Sequence, residues 1–320
     1  MNVNQSGIAR RDHVPVLLPQ VIDALSVSLN RDGIFVDATY GRGGHSEAIL
    51  DLLNDTGRLF VLDRDPSAVD EARRKHQRDN RVTVIHANFS EISTELRNLL
   101  PQIKVDGILA DLGVSSPQLD ESHRGFSFSK DGPLDLRMNQ TDGVSASVWL
   151  STVSERELSH VLKSLGDERF ARRIARKIIE SRQAHPIRST GQLSKLVADC
   201  VPATEPHKHP ATRTFLAIRM HINRELEELE SFLPKCLQLL RQGGRLVLIS
   251  FQSAEHRIIK RFLKQQSIGS PGPREIPFRQ SEFRPTVKVI GKPIGTDRDE
   301  VRINRRARSA VMRVAERIGV

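Results

Sequence analysis

Asp37-Ala38-Thr39-Tyr40-Gly41-Arg42-Gly43-Gly44-His45 closes a short run of aliphatic and aromatic residues, Gly33-Ile34-Phe35-Val36-Asp37, and opens directly into a segment of helical length. A strand that ends on a carboxylate and turns through glycines into a helix brings backbone close to a ligand at a sheet's carboxyl edge. Working outward, Arg58 to Asp63, Val82 to His86 and Val105 to Asp111 are further short branched or aliphatic runs bounded by turn residues, and each reads as a strand. Between the strands lie helical segments: Ser46 to Leu53, Pro66 to His76 with proline at its start, and Ser90 to Leu100 with Ile92, Leu96, Leu99 and Leu100. The alternation predicts an α/β fold with a parallel, doubly wound sheet.

The second strand ends in Asp63, about twenty residues past the glycine loop, where a carboxylate accepts hydrogen bonds from ribose hydroxyls. A dinucleotide site would want GxGxxG and a free helix start for pyrophosphate, and this loop reads GxGGH. S-adenosylmethionine, a nucleoside with an amino-acid tail and no phosphate, fits better than a nicotinamide cofactor. Alone, the loop is equally an ordinary tight turn, whereas for Asp37 and Asp63 the spacing makes a mere turn-forming role at the strand ends the weaker reading. The fourth strand ends Asp111-Leu112-Gly113-Val114-Ser115-Ser116-Pro117-Gln118. A carboxylate there, followed by a glycine turn with free hydroxyls, can accept hydrogen bonds from an amine presented to a methyl donor, which makes Asp111 the candidate catalytic residue.

A fifth strand, Arg245 to Phe251, comes far later than the dozen or more residues that a crossover needs, so a segment is inserted. Phe215, Ile218, Ile222, Leu226, Leu229, Leu233, Leu237 and Leu240 recur at steps of three and four, which predicts one long amphipathic helix ending at Gly243-Gly244. The insertion is therefore placed at 112–210, leaving 1–111 and 211–320 as one discontinuous domain. Its clearest element runs from Asp167 to Arg182, where Phe170, Ile174 and Ile178 line one stripe and Arg172, Arg173 and Arg176 crowd the rest, either as phosphate contacts or as a solvated face. Val287 to Ile290 and Ala310 to Ala315 read as two last strands, separated by a charged stretch.

The net charge of +10 points to a polyanion, since neutralising phosphates releases counterions. Twelve Phe, one Trp and one Tyr are too few for rows of base-stacking platforms, so nucleic acid would be held mainly by arginine. Two isolated cysteines, Cys200 and Cys236, make neither a disulfide framework nor a thiolate zinc site. His185, His207, His209 and His221 lack carboxylates or cysteines at ligand spacing, so no metal is expected and these groups read as surface or RNA-facing. With no apolar leader and no long apolar run, a cytoplasmic protein with no membrane association is the expectation.

Taken in order, His13 to Leu18, Gly41 to Ser46, Asp63 to Pro66, the block 111–138, Gly166 to Phe170, His209 to Phe215 and Arg306 to Ala310 make the chain similar to the bacterial 16S rRNA cytosine-N4 methyltransferases of the MraW type, the ribosomal small-subunit methyltransferase H family. The resemblance implies a class I methyltransferase sheet with an inserted helical substrate-recognition domain. It implies contacts to S-adenosylmethionine from Gly43, Gly44, His45, Asp63, Phe89, Asp111 and Gln118, with Phe89 flanking the adenine. The implied product is N4-methylcytidine in the decoding region of the small-subunit RNA, and the implied partner is 16S rRNA in the small subunit. Two departures stand out. Where the family reads Phe-His-Ser-Leu-Glu-Asp, this chain has Phe251-Gln252-Ser253-Ala254-Glu255-His256, and Asn304-Arg305 replaces Asn-Pro. Ser253 is expected to cap the helix that follows, with His256 breaking a capping box. These departures motivate a second reading, a catalytically silent RNA-binding factor for ribosome assembly that keeps the fold.

Overall fold

The computed structural model describes residues 15–202, 209–268 and 284–319; His13, Val14 and His207 lie outside them. Its contacts divide the chain into two compact units, one comprising the chain up to Asp63, Ser67–Gly113 and Ser231 onward, the other Arg64–Pro66 and Val114–Glu230.

The first unit opens with α1 (Leu18–Leu25) and continues β1 (Ile34–Asp37), α2 (Gly44–Leu50), β2 (Arg58–Asp63), α3 (Pro66–His76), β3 (Val82–His86), α4 (Ile92–Leu99) and β4 (Val105–Asp111). The second holds α5 (Ser116–Asp120), α6 (Ala146–Thr152), α7 (Glu155–Gly166), α8 (Ala171–Ala184), α9 (Thr190–Ala198) and α10 (Thr212–Ile222). α11 (Glu225–Leu239) then carries the chain back to β5 (Leu240–Ser250), α12 (Ser253–Ile268), β6 (Val287–Gly295), α13 (Arg298–Ile303) and β7 (Val311–Arg317).

Among the described residues the strands form one seven-stranded sheet in the order β3-β2-β1-β4-β5-β7-β6. β1 to β5 pair in parallel, and β7 runs antiparallel to β5 and β6. The order reverses between β1 and β4, the switch point at which open α/β sheets bind ligands. β4 is buried along nearly its whole length, as expected of a central strand covered on both faces. Gly107 interrupts it because a Cβ there would come within 2.8 Å of the Phe35 ring and 2.9 Å of Leu25. The core under the sheet joins Val21, Phe35, Ile49, Leu59, Val61 and Met312.

The second unit has its own core, in which Trp149, Leu158, Leu162, Ile174, Ile178 and Phe215 pack together. Ser154 starts α7 by accepting the Glu157 N–H at 3.2 Å, and Asp167, left-handed at φ 49°, ends it. α7 also packs on α10, where Gly166 lets the Arg213 carbonyl approach, so this unit continues past the expected end at 210 to Glu230.

Three expectations fail. The single long helix over 215–240 is two helices, broken at Asn223-Arg224 with Arg224 left-handed at φ 50°. Asn223 is held at the break: its side chain accepts from Met138 N at 2.8 Å and donates to the Leu136 carbonyl at 2.7 Å, and its own carbonyl accepts from Arg64 at 2.8 Å. Gly243-Gly244 lies inside β5, which begins at Leu240, with a register irregularity opposite Val105 and Gly107. The cap at α12 also differs. Glu255 accepts the N–H groups of Phe251 (2.9 Å) and Gln252 (3.0 Å), so the carboxylate that closes this helix start is present one position before His256. His256 instead places Nδ1 2.6 Å from Ser250 Oγ. Burial, aided by the Arg313 charge, holds its imidazole below the usual histidine range, so it brings no cation to the helix start.

Candidate functional site

At the carboxyl ends of β1, β2 and β4 the first unit gathers Asp37, Asp63 and Asp111. Asp37 is buried; its carboxylate accepts from Ser46 Oγ at 2.6 Å and Thr39 N–H at 3.1 Å, and burial pushes its carboxyl up despite these bonds. Asp63 accepts the Gly41 N–H at 2.8 Å, so the second strand's terminal carboxylate grips the glycine loop. The loop turns tightly, Gly43 N–H donating to the Tyr40 carbonyl at 2.7 Å. Gly43 is left-handed at φ 74°, and a Cβ on it would meet the Tyr40 ring at 2.5 Å, so only glycine fits. Tyr40 is itself pinned, its hydroxyl 3.2 Å from His76 Nε2.

His45 is buried just inside α2. Its Nε2–H donates to the Val16 carbonyl at 2.9 Å, which leaves Nδ1 facing Asp111 Oδ2 at 3.9 Å. Asp111 has its backbone N–H tied to Thr39 Oγ1 at 2.7 Å, while Oδ1 is buried and has no hydrogen-bond partner among the described residues. Burial foremost, with the neighbouring Asp37 charge adding and His45 opposing, pushes the Asp111 carboxyl up to about 6. An acceptor oxygen without a donor is an unmet demand in the fold, and an amine brought to it would satisfy that demand. Three carboxylates at adjacent strand ends disfavour pyrophosphate and suit a cationic, phosphate-free ligand.

The remaining expected contacts are arranged differently. Phe89 follows β3, half-buried and edge-on to Phe232 at 5.1 Å. Gln118 lies in the second unit with both ends of its amide engaged, Oε1 accepting from Ser115 N–H at 3.0 Å and Nε2 donating to Asp65 at 2.8 Å. Arg172, Arg173 and Arg176 are exposed on α8, with Arg176 3.7 Å from Glu155 across a solvated gap. Thr39, Ser46 and Tyr40 escaped the sequence reading as site residues. Their only signal was membership of the 37–46 stretch.

Among the described residues no group of His, Cys, Asp and Glu is placed to hold a metal, and no helix is long and apolar enough to cross a membrane.

The family model for the MraW methylase family matches residues 10–318. Curated relatives named ribosomal RNA small subunit methyltransferase H include one from Nitrosomonas europaea, 50% identical over 96% of this chain and 97% of its own length. Another, from Pseudoalteromonas atlantica, is 48% identical over 96% of this chain and 98% of its length. Among solved structures, an rRNA methylase from Streptococcus thermophilus is similar at TM-score 0.42 and 11% identity, covering 98% of this chain and 100% of that one. With a match spanning nearly its whole length and relatives identical at half of their positions, the chain belongs to the MraW methylase family.

Proposed function

We propose that this protein transfers the methyl group of S-adenosylmethionine to the exocyclic N4 amine of a cytidine in the decoding region of 16S rRNA, within the small ribosomal subunit. The observation that carries the reading is the near full-length similarity to proteins named for small-subunit rRNA methylation. The carboxyl-edge chemistry agrees with it. S-adenosylmethionine supplies an electrophilic methyl on a cationic sulfur. In this reading the backbone at Gly43, Gly44 and His45 would meet the amino-acid portion, Asp63 would accept from ribose hydroxyls, and Phe89 and Gln118 would supply the remaining cofactor contacts. The cytosine amine is a weak nucleophile because its lone pair is delocalised into the ring. Asp111, accepting the amine's hydrogens, would orient it and draw off positive charge as the N–C bond forms. Arg172, Arg173 and Arg176 would hold phosphates.

The decisive experiment is methyl transfer from labelled S-adenosylmethionine to small-subunit particles and to naked 16S rRNA, followed by nuclease digestion and mass analysis. N4-methylcytidine is the expected product. Cofactor binding with no transfer to either substrate would favour the silent assembly factor, and a methyl on another atom would overturn the cytosine assignment.

Two variants probe the two halves of the reading. Asp63→Ala removes a charge-assisted hydrogen bond and releases the Gly41 N–H, so S-adenosylmethionine should bind more weakly by about 1–3 kcal/mol in calorimetry. An unchanged dissociation constant would remove Asp63 from the pocket. Replacing Arg172, Arg173 and Arg176 together by Gln should leave that constant alone and lower the slope of log affinity for rRNA against log salt by about two to three, one phosphate's worth per arginine. A constant slope would make the α8 face merely solvated.

A further inference from the structure

One exposed ring in the second unit is held in a way that a solvated side chain does not need. His209 precedes α10, and its Nδ1 accepts the Ala211 N–H at 3.2 Å. Its carbonyl accepts both the Thr212 N–H (3.0 Å) and the Thr212 hydroxyl (2.8 Å). The imidazole lies nearly parallel to Phe128, with ring centroids 4.5 Å apart and planes 25° from each other. Phe128 is propped in turn, edge to face, on the buried Phe215 at 5.3 Å. The result is a stack anchored to the core through Phe215, in which Phe128 is half-buried and His209 is exposed.

We propose that the solvent-facing side of His209 is a stacking platform for one unpaired nucleobase of the RNA substrate. Unstacked bases in single-stranded RNA are gripped on flat π faces, histidine among them, and a ring already locked in place loses little conformational freedom on binding. The paucity of aromatic residues excludes rows of such platforms but leaves room for a single one. Phosphate recognition by the α8 arginines gives affinity without reading bases, whereas a platform would hold one nucleotide in register relative to the strand. The proposal rests on the RNA-substrate reading, and its test separates the two.

The probes are a short single-stranded RNA of mixed sequence and its abasic counterpart, which keeps the phosphates and lacks the bases. Against the mixed RNA, His209→Leu should bind about five- to a hundredfold more weakly than wild type, the span expected for one lost stacked base, while His209→Phe should bind about as well. Against the abasic strand all three proteins should bind alike. S-adenosylmethionine affinity, unaffected in each variant, reports that the fold is intact. Equal loss on both strands, or no difference between His209→Leu and wild type, would overturn the platform and leave the RNA reading standing. Failure of wild-type protein to bind the mixed RNA or small-subunit particles would overturn both.

Discussion

Asp111→Asn is expected to slow single-turnover methyl transfer by about a hundred- to a thousandfold, the usual loss when one group that stabilises developing charge is removed. The substitution keeps the shape but offers an N–H where the amine needs an acceptor. Because the free carboxyl is pushed up to about 6 by burial, wild-type kcat/KM for rRNA should fall as pH drops through 6 and level off above it. The Asn variant should show no such step. Stability should move the other way. A carboxyl whose folded pKa exceeds its unfolded value favours its protonated form in the fold, so its ionisation costs stability as pH rises from about 4 to 6, and that cost remains at higher pH. Asn carries no such cost, so Asp111→Asn should melt at least as high as wild type at pH 8. A variant that is stable, binds cofactor and fails to transfer would place Asp111 in the chemistry; one that transfers normally would remove it.

The largest expected loss of stability is elsewhere, at Arg124→Ala. The Arg124 guanidinium is buried against Asp65, 2.7 Å from its carboxylate, and also donates to the Met138 carbonyl at 2.8 Å. Truncating one partner strands a charge out of water and should cost about 3–5 kcal/mol in denaturant unfolding. The double change Arg124→Met with Asp65→Leu should recover much of that loss, since two apolar groups leave no charge to desolvate. If the single variant unfolds like wild type, the pair is not structural.

How much of this was legible depends on how local each signal is. β1, β2 and β4 are marked by branched or aliphatic residues closing on aspartate, β3 by its run of branched residues, and α3 by Pro66; their bounds follow from neighbours in sequence. The break between α10 and α11 was not legible, because the apolar stripe from Phe215 to Leu240 keeps its helical step straight through it. What breaks the helix is Asn223 answering Leu136, Met138 and Arg64, all distant in sequence. The α12 start was misread for a smaller reason: the cap lies at Gln252 and not Ser253, so the carboxylate that serves it is Glu255 and not the residue at 256. At the site, the carboxylates Asp63 and Asp111 were visible from strand ends. The pairing of Thr39 with Asp111, and of Tyr40 with His76, depends on contacts that spacing alone does not encode.

The placement of β5 beside β4 has a consequence for biosynthesis. β4 is complete at Asp111 and can pair with β1, yet its second parallel partner, β5, begins only at Leu240. At translation rates of about 5–20 residues per second, the stretch between them takes roughly 6–25 seconds to make. Throughout that interval a strand with the apolar run Ile108-Leu109-Ala110 presents an unpaired edge on the nascent chain, the kind of surface that templates aggregation. The α6 to α10 bundle emerges during the same interval and has its own core. Its early collapse would shorten the span over which the two strands must find each other, turning a long loop closure into a short one. Variants that slow collapse of that bundle should therefore lower soluble yield more than their effect on the melting temperature of the finished protein would suggest.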